Sequence, residues 1–226
     1  MISHKHKCIF IHIPKCAGTS IEAALGHFEG EEKRWYQDHR SIRMYQSLAN
    51  INIFKSRSNL FEALKKIKFL KFTKQTNINN LIEVNDKQYN EYYKFTVVRN
   101  PYRRVISWYE NVMRDEKTRT YYNVNKGISF HEFVNKFLGT RQLESQLSWL
   151  VDYNGEISVD KVIKFENLAI EFEEAKAMLK DAQGVTLPHK LKGKDIDLNN
   201  YYDDETQALV YEFYKREFEI FEYDYS

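Results

Sequence analysis

The chain has 226 residues, of which 42% are hydrophobic and 29% charged, with a net charge of +2. That supplies enough apolar material for one domain with a sizeable core, and the near-neutral balance excludes a global field that would recruit DNA or RNA. The two cysteines, Cys8 and Cys16, lie on a stretch that spans about 25 Å when extended. A disulfide needs Cα atoms within about 7 Å, so nothing demands an oxidising compartment.

The first residues, MISHKHKCIFIHIPK, hold a short apolar run without a small-residue cleavage site, which argues against a signal peptide. No run reaches the ~18 apolar residues of a membrane-spanning helix. A soluble, cytoplasmic protein is therefore expected. Residues 8–13 are nearly all apolar and stop at Pro14, the pattern of a buried, parallel strand. From Thr19 the period turns helical, with Ile21, Ala24 and Leu25 on one face. Thr19 and Glu22 have capping-box spacing, and Gly26 can end the helix.

Residues 30–90 carry a weaker pattern. LFEALKKIKFLKF (60–72) predicts a basic amphipathic helix with Leu60, Leu64, Ile67 and Phe72 on one side. It covers the core or lies on an anionic membrane or glycan, so peripheral membrane contact stays open. TKQTNINN (73–80) reads as a loop. YKFTVV (93–98) is a second strand, closed by RNP, with Pro101 suited to the first turn of a helix. Ser129 and Glu132 open a further helix with a capping box. Residues 162–165 predict a third strand, 169–182 a helix, and the acidic start of DDETQALVYEFYKREFEIF a last amphipathic helix. Strands alternating with helices predict a three-layer α/β fold with a mainly parallel sheet and a single domain over 1–226. Residues 40–92 are its variable, mostly helical part. Aromatic residues reach 15%, which suits a sugar- or base-facing cleft, although the ordinary reading is core packing.

The stretch FIHIPKCAGTS joins the first strand to a helix through small residues. The first amides of a helix lack internal partners and carry partial positive charge, so such a joint holds anions. Ala17 and Gly18 let a phosphate approach the backbone, Thr19 and Ser20 offer hydroxyl donors, and Lys15 adds a full charge. This is not the G-x-x-x-x-G-K-[ST] loop: Lys15 precedes the glycine, and no hydroxyl follows a Gly-Lys pair to hold Mg²⁺. A phosphate site without a metal is expected. RNPYRRVISWY (99–109) repeats the arrangement after the second strand. Arg99 leaves the strand end, where open α/β sheets bind ligands, and Ser107 lies two turns into the helix. An arginine fork and a hydroxyl suit a second phosphate. Arg104 is expected in an internal salt bridge and Arg103 toward solvent.

FIHIPKCAGTSIEAAL and FTVVRNPYRRVISWY resemble the two nucleotide-binding signatures of the carbohydrate sulfotransferases of the family 2 type. That group includes the heparan and chondroitin sulfotransferases and small bacterial members. The second signature, R-x-P-x-x-R-x-x-S-x-Y, is matched at Arg99, Pro101, Arg104, Ser107 and Tyr109. The likeness continues through VIKFENL, LPHKLKGK and the C-terminal helix, leaving out about 40–92.

The resemblance implies a P-loop-NTPase-like sulfotransferase fold, 3′-phosphoadenosine 5′-phosphosulfate as sulfuryl donor, adenosine 3′,5′-bisphosphate as product, and a carbohydrate or glycolipid acceptor. It assigns Lys15, Ala17, Gly18, Thr19 and Ser20 to the 5′-phosphosulfate and Arg99 and Ser107 to the 3′-phosphate. A basic loop over 189–194, with Lys192, closes near the nucleotide. The commoner form of the first loop, PKTGGTS, is here altered at Cys16 and Ala17. Both are small, and Cys16 reads as packing.

Transfer to a hydroxyl needs a base, and histidine is the natural choice. Small members of the family carry a histidine in the region of His39. His12, just before the loop, and the carboxylates Glu22 and Asp38 are the other candidates. His4, His6 and His27 read as peripheral, and His131 belongs to a helix start. Two other functions remain open from the residues: a nucleotide or sugar kinase, and a non-catalytic nucleotide- or glycan-binding module.

Overall fold

The structure, a computed structural model, describes residues 1–28, 37–49, 51–73, 82–187 and 197–224. In chain order its strands and α-helices are β1 (Ile2–Ser3), β2 (Cys8–Ile11), α1 (Gly18–Ala24), α2 (Arg57–Phe72), α3 (Asp86–Glu91), β3 (Tyr93–Val98), α4 (Pro101–Arg114), α5 (Glu116–Tyr121), α6 (Phe130–Phe137), α7 (Leu147–Leu150), β4 (Lys161–Lys164), α8 (Leu168–Ala177) and α9 (Asp204–Ile220). They fall into two compact units: 1–98 with 147–191, and 99–146 with 192–226.

The first unit is built on a four-stranded sheet of order β1-β2-β3-β4. β2 pairs with β3 and β3 with β4 in parallel, with Ile11 opposite Thr96 and Val98 opposite Lys164. β1 adds an antiparallel edge. The expectation of a mixed α/β fold with a mainly parallel sheet holds. Ile9, Ile11, Phe95, Val97 and Ile163 are fully buried in it, and Phe172 of α8 packs 6.5 Å from the Phe95 ring. Thr96 Oγ1 donates to the Ile11 carbonyl at 2.9 Å, tying β3 to the last residue of β2.

Two local expectations are corrected. α2 forms, yet Leu64, Ile67 and Phe72 are exposed, while Asn59, Glu62, Ala63 and Lys66 are buried. The polar members of that inner face are all satisfied. Asn59 Nδ2 donates to the Tyr153 carbonyl at 2.9 Å, Glu62 accepts from Ser41, and Lys66 donates to the Gln46 carbonyl. The Thr19–Glu22 capping box is also absent: Ala17 is the N-cap of α1 and no side chain caps the helix. Glu22 turns inward to other partners. The Ser129–Glu132 box does form, and Gly26 follows the end of α1 at φ 77°. The predicted loop at 73–80 lies outside the described residues from 74 onward.

The second unit is helical. Tyr109 of α4 meets Phe130 and Phe133 of α6 edge-on at 5.2 and 5.1 Å, and Tyr102 meets Phe218 of α9 at 5.0 Å. Here the aromatic content serves core packing.

Candidate active site

β2 and β3 are adjacent and parallel, so both end at the same edge of the sheet. Beyond β2 the chain turns through Pro14 to Ala17 into α1. Lys15 (φ 69°) and Ala17 (φ 60°) are both left-handed, one on each side of Cys16. Left-handed residues in a tight turn aim successive amides into a common concavity, a form that binds anions. Holding a non-glycine residue there costs of order 1–3 kcal/mol and marks a constrained loop. The side chains of Lys15, Thr19 and Ser20 on this turn are half-buried. Gly18 is required for a different reason. A Cβ on it would lie 1.9 Å from Cδ2 and 2.2 Å from Nε2 of the His12 ring, so the loop rests directly on that imidazole. Cys16 is buried, with its thiol 3.6 Å from the Pro14 carbonyl.

His12 is almost wholly buried. Its Nδ1 stands 3.0 Å from Glu22 Oε1, which also accepts from the Asp38 amide at 2.9 Å. Burial pushes the Glu22 carboxyl up, but the His12 charge and contact outweigh this and hold it below the ordinary carboxylate value. Asp38 behaves alike: burial opposes ionisation, and the Arg40 guanidinium, with Nε at 2.7 Å from Oδ1, overcomes it.

His39 lies against this pair, its ring centroid 4.1 Å from that of His12. Nδ1 is 3.1 Å from the His12 carbonyl oxygen. A carbonyl only accepts, so Nδ1 carries the proton. Nε2 is 3.0 Å from Gln37 Oε1, and Gln37 Nε2 donates to Thr19 Oγ1 at 2.7 Å. His39 is thus held between the His12 backbone and the Gln37 side chain. The structure thus brings Thr19, His12, Glu22 and His39 together in the first unit, with Lys15 on the loop that rests on His12.

At the end of β3 the chain enters the second unit with Arg99. Asn100 caps α4, its Oδ1 accepting from the amides of Tyr102 at 3.0 Å and Arg103 at 3.3 Å. Pro101 occupies the first turn, as expected. The Arg99 backbone is closed on both sides by one side chain: Gln146 Oε1 accepts from its amide and Gln146 Nε2 donates to its carbonyl, each at 2.9 Å. Gln146 in turn donates, through its backbone amide and Nε2, to the two oxygens of Glu217, each at 2.6 Å. Ser107 is half-buried. Arg104 is fully buried; it donates to the carbonyls of Glu144 and Gln142 at 2.9 and 2.8 Å, and its charge acts on buried Glu217 against the raising effect of burial. Arg103 is half-buried.

A family model described as the sulfotransferase family matches residues 1–224. The chain belongs to the sulfotransferase family. No match was found among curated proteins or among solved structures. Membership supports sulfuryl transfer in general terms for this sulfotransferase. Among the described residues no three His, Cys, Asp or Glu side chains gather as a metal site, and no helix is long and apolar enough to cross a membrane. The assignment of Lys192 and the 189–194 loop lies outside the described residues.

Sequence reasoning missed Gln146 and Glu217, whose connection to Arg99 is purely tertiary. It also missed Gln37, which links Thr19 to His39. His6, read as peripheral, is buried, its Nδ1 2.9 Å from the Lys180 carbonyl.

Proposed function

We propose that this sulfotransferase moves a sulfuryl group from 3′-phosphoadenosine 5′-phosphosulfate to a hydroxyl of a carbohydrate acceptor, with His39 as general base. The observation that carries the reading is the association of the strained Lys15–Ala17 turn with the His39–His12–Glu22 cluster. The donor fits the residues present. The left-handed turn offers amides, Lys15 a cation, and Thr19 and Ser20 hydroxyls to the 5′-phosphosulfate, while Arg99 and Ser107 supply a fork and a hydroxyl to the 3′-phosphate.

His39 Nε2 takes the proton of the acceptor hydroxyl as its oxygen attacks sulfur and the bond from sulfur to the phosphate oxygen breaks. Lys15 offsets the charge left on that phosphate. The imidazolium that forms is stabilised at Nδ1 by the His12 carbonyl and at Nε2 by Gln37. His12, buried and faced by Glu22, is a positioning residue: its ring supports Gly18 and its carbonyl fixes the tautomer of His39. With Asp38 tied to Arg40, neither carboxylate is placed as the base.

Calorimetric titration with adenosine 3′,5′-bisphosphate, 5′-AMP and ATP, without and with Mg²⁺, tests the donor. Tight binding that needs the 3′-phosphate and ignores Mg²⁺ is expected. A preference for ATP with Mg²⁺ would replace this reading with a kinase, and no binding to any of the three would leave a glycan-binding module.

A further inference from the structure

Helix α2 is turned inside out relative to an ordinary amphipathic helix. Its inner face is the hydrogen-bonded set Asn59, Glu62 and Lys66, helped by Arg43 Nη1 donating to Asn59 Oδ1 at 3.1 Å and by Arg40 stacked 4.5 Å from the Phe69 ring. Its outer face carries Phe61, Leu64, Ile67 and Phe72, exposed by 65, 54, 53 and 69%, and the preceding turn adds Phe54 at 77%. Of the twelve strongly exposed large apolar side chains among the described residues, these five fall within 54–72. Scattered exposed apolar residues need no explanation, but a contiguous set does.

The cations share that face. At 100° per residue, Phe61, Lys65, Lys68 and Phe72 lie within one narrow arc, with Arg57, Leu64 and Lys71 beside it. The helix holds five Lys or Arg and one carboxylate, whereas the whole chain has a net charge of +2, so the residues outside α2 are net acidic. Aromatic and aliphatic side chains interleaved with lysines suit the boundary between acyl chains and anionic headgroups, where lysine stems lie along the apolar layer and their ammonium groups reach phosphate. A second copy would bring the same cations face to face. A soluble polyanion would pair the lysines but leave three phenylalanines in water.

We propose that α2 docks the protein on the surface of an anionic phospholipid bilayer. Phe54, Phe61 and Phe72 enter the acyl boundary, and Lys65, Lys68 and Lys71 hold the headgroups. This rests on α2 alone and is independent of the reaction assigned above.

The test is co-sedimentation of the full chain with vesicles of phosphatidylcholine, with or without a third of phosphatidylglycerol. Partition onto the anionic vesicles only is expected, falling about fivefold for each lysine neutralised. The triple variant Lys65→Gln, Lys68→Gln, Lys71→Gln should thus lose about 100-fold, and Phe61→Ser with Phe72→Ser about tenfold or more. Because both phenylalanines are exposed, melting temperatures should match the parent. Should the serine pair misfold, Phe61→Trp keeps the question open to measurement: its added fluorescence should shift to the blue on anionic vesicles and be quenched by brominated acyl chains. Failure to partition at low salt would overturn the proposal. So would lysine-dependent adsorption in which the serine pair binds like the parent and the Phe61→Trp signal is unquenched, which is the behaviour of a polyanion site. A lipid-free dimer in sedimentation that the serine pair abolishes would assign the face to a second copy instead.

Discussion

The two strand-to-helix joints look equivalent in sequence, since each places a basic residue and a proline between an apolar strand and a helix. They solve the helix start in opposite ways. After β2, the N-cap is Ala17 at φ 60° and no side chain caps the helix, so the helix start rests on main-chain contacts such as the Ser20 amide to the Ala17 carbonyl at 2.9 Å. After β3, Asn100 caps α4 twice and Gln146 closes the Arg99 backbone. In the function proposed above, the first joint would meet an anion with main chain as well as side chains, and the second with the side chains of Arg99 and Ser107. Similar residue patterns thus start their helices with different capping chemistry.

This contrast can be broken or sharpened by substitution. The largest effect is expected at the first joint: His39→Ala should lower the transfer rate about 10²–10⁴-fold while calorimetric affinity for adenosine 3′,5′-bisphosphate stays at the parent value. Equal loss of both would remove His39 from the role of base. At the second joint, Gln146→Leu removes the side-chain bonds to the Arg99 amide and carbonyl and one of the donors to buried Glu217. Urea denaturation should report a loss of about 3 kcal/mol. Arg99→Ala removes a charge-assisted contact of about 1.5–3 kcal/mol, so it should weaken the bisphosphate by ten- to a hundredfold and leave 5′-AMP unchanged.

Acid offers a gentler probe. Glu22 and Asp38 are held below their ordinary values, so the stability they contribute is present above about pH 4 and is lost as pH falls further. Glu217, raised by burial, acts with the opposite sign. Glu22→Gln should flatten the acid limb of the stability curve, and an unchanged slope would count against the His12 pairing. The smallest effects separate the caps. Asn100→Ala should cost about 1 kcal/mol without changing bisphosphate affinity, whereas Ala17→Gly, which suits a left-handed position, should add up to about 1 kcal/mol.

What could be read in advance follows from how local each signal is. β3, the Pro101 start and the Ser129–Glu132 box depend on neighbours in sequence and were legible. The same box spacing failed at Thr19 and Glu22 because Glu22 is fully buried and His12 competes for its oxygen, while Glu132 lies at an exposed helix start with no such rival. α2 misled because periodicity reports which residues share a face, not which face is inward. There, hydrogen bonds from Ser41 and Arg43 and one to the Tyr153 carbonyl decided the side. β1, two residues long, offers no period at all. In the candidate site, His39 and Lys15 were visible as residue types, while the Gln37 bridge and the His12 carbonyl contact needed coordinates.

The Gln146 clamp also bears on how the molecule matures. Arg99 is fixed by a residue 47 positions later, which is itself fixed by one a further 71 positions on. Closing such long loops is entropically slow compared with winding the helix that begins at Pro101. On a growing chain, α4 can therefore form early, yet the Arg99 backbone just before it stays unclamped until α9 has been made, after most of the secondary structure is already in place.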